Sequence, residues 1–147
     1  MDVRKLIRPA VFGAFDGLVT VLGAVFQLAH DPRAMWLTTV GLAIGGVISM
    51  GGGEWLSDSE HGLFASLTIG STTGLGTILP ALPYVVVHGW AGVVLSSVLC
   101  LAAATGIAWA RVGPSKTLRR ALAETHGLLA VAAGLTLLAA WATGAVG

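Results

Sequence analysis

The chain has 147 residues, 55% of them hydrophobic and 10% charged, with a formal net charge of +1 and a mean hydropathy of +0.86. A soluble domain is about a quarter charged, so this composition excludes a soluble fold and points to an integral membrane protein with no nucleic-acid partner. The single cysteine, Cys100, lies in an apolar run and serves packing, because one thiol builds neither an intrachain disulfide framework nor a cysteine metal cluster.

Apolar segments run over 9–29, 35–57, 63–87, 90–110 and 121–146. Each approaches or exceeds the roughly 20 residues a spanning helix needs. The expected fold is therefore all-α, a single transmembrane domain of five helices over residues 1–147. The first segment follows three basic residues, but it contains Asp16 and lacks a small-residue cleavage site, so it reads as a mature span rather than a secretory signal. The breaks are "HDPR" at 30–33, "SDSEHG" at 57–62, "VHG" at 87–89 and "RVGPSK" at 111–116.

Loops rich in lysine and arginine stay in the cytoplasm. Arg4, Lys5, Arg8, Arg111, Lys116, Arg119 and Arg120 fall on one side of a five-span topology, and Arg33 stands alone on the other. The N-terminus and the "SDSEHG" turn are thus expected in the cytoplasm, and the C-terminus outside or in a lumen. Five spans do not divide into an inverted repeat, so any two-fold symmetry must come from a second copy. Small residues recur at helical spacing, namely Gly13 and Gly17, Gly41 and Gly45, then Ser66, Gly70, Gly74 and Thr77. They suit close helix approach.

Two acids stand out. An acid inside a spanning helix costs about 2.5 to 3.5 kcal/mol on insertion scales and marks a pathway or site. Counted from a helix start near Pro9, Asp16 lies roughly 10 Å into the first span, and Glu54 lies roughly 6 to 9 Å from the end of the second. Antiparallel neighbours bring both into one half of the membrane. Met50 shares the face of Glu54 one turn deeper, near the expected level of Asp16. Two carboxylates and a thioether suit a late first-row divalent ion better than magnesium or calcium. Acids in such a path also hold protons without metal and release them beside it. The competing structural reading makes Asp16 a hydrogen-bonded helix clamp, Glu54 a solvated helix-end charge and Met50 a gap filler.

With "FDGLVTVLGAV" at 15–25 and "ISMGGGEWLSDSE" at 48–60, the chain resembles the vacuolar iron transporter family, which includes nodulin-like members. The family's first helix carries Asp-Gly-Leu-Val-Thr, here residues 16–20. Its second ends in a methionine followed by Gly-Glu-aromatic-x-Ser, here Met50 and then Gly53, Glu54, Trp55, Leu56 and Ser57. The "ILPALPY" run at 78–84 looks like its proline-containing third span. The resemblance implies a homodimer in the lipid bilayer that exports iron(II) or manganese(II) from the cytosol in exchange for protons. It implies Asp16, Met50 and Glu54 as metal ligands, Gly17 as a residue keeping the path narrow, and Thr20 as an added oxygen. The metal is cargo, and no tightly bound cofactor is expected. Many members insert a glutamate-rich cytoplasmic domain between the second and third spans; only "SDSEHG" stands here, as in the nodulin-like members. Asp58 and Glu60 are expected at a reduced entrance.

Other function classes make different demands. A haem-ligating electron carrier would use His61 and His126 at one membrane face. An accessory or structural subunit explains the glycine faces but leaves Asp16 without a role. A hydrolytic enzyme is not expected, as the chain has no nucleophile elbow, His-Glu-x-x-His pattern or phosphate loop with lysine. Compactness and short loops favour a bacterial cell membrane over an organellar one.

Overall fold

The computed structural model describes residues 4–57 and 62–144, and these form a bundle of five long helices. In chain order they are α1 (Arg4–Gln27), α2 (Pro32–Ser57), α3 (Gly62–Ile78), α4 (Gly89–Ala110) and α5 (Leu118–Ala142), with a 3₁₀ segment at Leu79–Val85 prolonging α3. All five elements, the third counted through Val85, are long and apolar enough to cross a membrane. The chain is thus an integral, multi-pass membrane protein, as its composition implies.

Three helices start earlier than hydropathy suggests, and in α2 and α5 polar groups outside the apolar runs begin them. The α1 helix begins at Arg4, so Pro9 sits within it rather than at its start. Before α2, the Asp31 carboxylate accepts the Ala34 N–H at 2.9 Å and Pro32 takes the first helical position, where its missing N–H costs nothing. Before α5, Thr117 caps the helix by accepting the Arg120 N–H at 3.4 Å.

The third span changes winding at its prolines. Pro83 has no N–H, so the Pro80 carbonyl loses its i+3 partner. The buried Ser96 hydroxyl of α4 donates to that carbonyl at 2.5 Å. The Tyr84 hydroxyl donates at 3.2 Å to the Val25 carbonyl, one of the last four of α1 and so without a partner inside its own helix. These two bonds tie the tightened end of the third span to its neighbours. At the same end of the bundle Gly89 has a φ of +61°, which a side chain would strain, and its N–H donates to the Ala29 carbonyl at 2.7 Å.

The centre of the bundle is α3, which packs along both α1 and α2. Glycines set the spacing: a Cβ on Gly17 would overlap the backbone at Thr73, Gly76 and Thr77, and one on Gly70 would meet the Val47 carbonyl at 2.9 Å. On the far side of α1, Leu18 and Leu22 pack with Cys100, Ala104 and Ile107 of α4 and with Leu129 of α5. Cys100 is a buried packing residue, as expected. A second core joins Val21 and Val25 to Met35, Ala81, Tyr84 and Val93.

Candidate metal path

The glycine contacts fix the relative heights of the acids. Gly13 and Gly17 flank Thr73 from the α1 side, and Gly46 meets the same threonine from the α2 side. Asp16 therefore lies level with Gly46. Gly51 packs lower, where a Cβ would meet the Ser66 carbonyl at 3.0 Å. Met50 is four residues from Gly46 and Glu54 eight, which separates them from the Asp16 level by about 6 and 12 Å along the helix. The three side chains form a staircase rather than one plane. Met50 was expected near the height of Asp16, and it lies about one turn closer to the end of the bundle, because α3 stands between α1 and α2 and sets their register.

Asp16, Thr20, Met50 and Glu54 are all partly buried. Neither acid has an ion-pair partner among the described residues. Phe12, one turn before Asp16, is 58% exposed. Gly17 is buried and closes α1 onto α3, so its narrowing effect falls on that helix pair. The glycine triplet divides as well: Gly51 meets α3, while Gly52 and Gly53 face open space. Ser66, beside Gly51, is buried and its hydroxyl has no hydrogen-bond partner among the described residues. The small-residue spacing of α3 had marked it only for packing. Among the described residues no three of His, Cys, Asp and Glu converge as a metal-holding group. Asp58 and Glu60, the expected entrance, lie outside the described residues, as does His61. The ring of His126 has its Nδ1 at 3.1 Å from the Leu122 carbonyl and its Nε2 at 3.2 Å from the Thr105 hydroxyl. Both nitrogens thus have partners within the chain.

Glu54 also lines a crevice of about 1190 Å³ at the end of the bundle where α1 begins and α4 meets α5. Arg8, Arg111, Lys116 and Arg120 line it too. Three of these cations gather on Glu124 of α5: Arg111 donates at 2.8 Å, Arg120 donates at 2.9 Å and Lys116 pairs with the same carboxylate. Arg111 donates a further bond of 2.6 Å to the buried Thr125 hydroxyl. This cluster was not anticipated. Its signal was available in the i,i+4 spacing of Arg120 and Glu124, which the use of the basic residues for orientation alone passed over.

Comparison with curated proteins and with solved structures gives no match. A family model does match: residues 7–66 fit that of the VIT family, a stretch that runs through α1 and α2 into α3 and contains Asp16, Gly17, Thr20, Met50 and Glu54. With five apolar helices and both acid-bearing motifs inside the matched stretch, this fit supports membership of the chain in the vacuolar iron transporter family.

Proposed function

We propose that this chain, whose family points to membrane metal-ion transport, moves iron(II), with manganese(II) as a second substrate, out of the cytoplasm in exchange for protons, for detoxification or storage. The observation that carries the reading is the staircase of Glu54, Met50 and Asp16 leading from a crevice at one end of the bundle into the spanning region. Carboxylate, thioether and carboxylate in series give a dehydrating divalent ion successive ligands, and each acid takes up a proton when the ion leaves. In this reading Thr20 adds an oxygen beyond Asp16. The end with the basic residues faces the cytoplasm and the C-terminus faces outside, in a bacterial cell membrane. Asp58 and Glu60 collect metal at the mouth.

The working unit is a homodimer. Two acids and one methionine leave a hard divalent ion short of its roughly six ligands, and a second copy supplies the rest. The face that supports this is on α2, where Gly41 and Gly45, four residues apart, and Gly52 have open space at the side-chain position. The outer face of α5 also has open glycines, Gly127 and Gly134, but they stand seven residues apart among exposed Leu128, Val131, Leu135, Leu138 and Trp141, a spacing less suited to close helix approach. In a protein with Cys100 replaced by serine, Gly45→Cys should cross-link to a covalent dimer in the membrane while Leu135→Cys should not. Equal cross-linking at both positions would contradict the pairing through α2.

Transport itself is tested with purified protein in liposomes under a series of pH gradients, with iron(II), manganese(II), cobalt(II), nickel(II) and zinc(II) in competition. The expected result is saturable uptake that rises with the gradient and is suppressed by the preferred ion. Absence of uptake, or uptake indifferent to the metal supplied, would sink the proposal.

A further inference from the structure

We propose that the basic crevice is a binding site for an anionic phospholipid, with the phosphate headgroup among Arg8, Arg111, Lys116 and Arg120 and an acyl chain in the groove between α1, α3 and α4. The site shares the crevice that Glu54 lines, and its test reads lipid binding rather than transport.

Charge gives the first part of the argument. Among the described residues four cations line the crevice against one lining carboxylate, Glu54, and the only other acid engaged there is Glu124. Among these described groups two positive charges remain in excess. Arg120 contacts Glu124 through Nε while its side chain is 70% exposed, and Arg8 is exposed with no ion pair among the described residues. Both guanidiniums therefore have donors to offer a phosphate, and the fork geometry suits one. Ser115 lies on the same lining.

Shape and polarity give the second part. The crevice continues, through Val11, Ile107 and Ala110, into an apolar groove of about 510 Å³. Apart from Thr72, every residue lining that groove is aliphatic or glycine. The crevice wall carries Phe12 and Leu128, each 58% exposed. A free anion has no use for an apolar extension of this kind, whereas a phospholipid presents a negative head joined to hydrocarbon. Basic pockets at helix ends next to lipid-accessible apolar surface suit that combination. A neutral zwitterionic lipid brings the chain but not the net charge.

The test is native mass spectrometry of the detergent-purified full chain, titrated with phosphatidylglycerol or phosphatidylcholine, with thermal unfolding as a second readout. Retention of phosphatidylglycerol in preference to phosphatidylcholine is expected, together with a raised unfolding midpoint. Arg8→Gln with Arg120→Gln leaves Arg111 and Lys116 on Glu124, and should weaken phosphatidylglycerol binding about thirty-fold, from two surface cations lost. Gly106→Leu fills the groove at a position with open space around it, and should weaken binding without lowering the unfolding midpoint of the lipid-free protein. Equal retention of both lipids, or unchanged binding in both variants, would overturn the proposal. A third arm uses inorganic phosphate alone. If it stabilises the chain as well as phosphatidylglycerol does, the site takes a free anion and the lipid assignment fails.

Discussion

Asp16→Asn is expected to lower gradient-driven metal uptake by about a hundredfold or more, since even groups that only support a metal ligand are worth 10- to 100-fold. The substitution keeps the shape of the side chain and removes its charge and its proton chemistry. Because Asp16 is partly buried in a spanning helix with no ion-pair partner among the described residues, the amide should leave dimerisation intact and raise thermal stability slightly or leave it alone. An acid at that depth costs about 2.5 to 3.5 kcal/mol to insert, and the amide removes the ionised form. The two readings of Asp16 then separate. A ligand predicts lost transport in a well-folded protein, whereas a helix clamp predicts lost fold or lost dimer. Preserved uptake in the Asn variant, measured beside wild type in the same liposome preparation, would contradict the ligand role.

Gly17→Ala is expected to destabilise the protein by about 3 kcal/mol, the upper part of the range for overpacking. The cause is the identity of the atoms in the way. A Cβ at Gly17 would come within 2.7 Å of the Thr77 nitrogen and 2.9 Å of the Gly76 carbonyl carbon, and closer still to the Thr73 carbonyl oxygen. All three are backbone of α3, so no side chain can rotate aside and the two helices must separate. Gly127→Ala on α5 provides the contrast, because nothing lies within 4 Å of its Cβ position. That change should be neutral or stabilising by up to about 1 kcal/mol through helix propensity. Unfolding midpoints of the two variants in the same detergent test this directly, and similar midpoints would show that α1 and α3 are not held as closely as described.

The number of spans was legible because the bilayer leaves the backbone little choice: apolar runs of sufficient length become helices. The ends were less so. Asp31 and Thr117 cap α2 and α5 from outside the apolar runs, and hydropathy alone does not weigh a capping bond. Pro80 and Pro83 marked an unusual third span, but the 3₁₀ winding and the Ser96 and Tyr84 bonds that complete it are long-range contacts. The acids and methionine were found because charge and thioether are conspicuous in an apolar helix. Their heights were not, since these depend on α3 lying between α1 and α2 and on which glycine meets which threonine. The Glu124 cluster draws Arg111 and Lys116 from the link after α4 and Arg120 from α5 itself. Only its Arg120 pair is local in sequence.

The central claim is that metal crosses this bundle against protons along the staircase of Glu54, Met50 and Asp16. Its most direct measurement is simultaneous recording of iron(II) uptake and internal pH in liposomes holding the wild-type protein, with a proton-sensitive dye and a metal-sensitive dye sealed inside. The account predicts that adding iron(II) outside vesicles with an acidic interior drives metal in and protons out together, in a fixed ratio. Metal entering with no accompanying alkalinisation, or protons leaving at the same rate without metal, would contradict it.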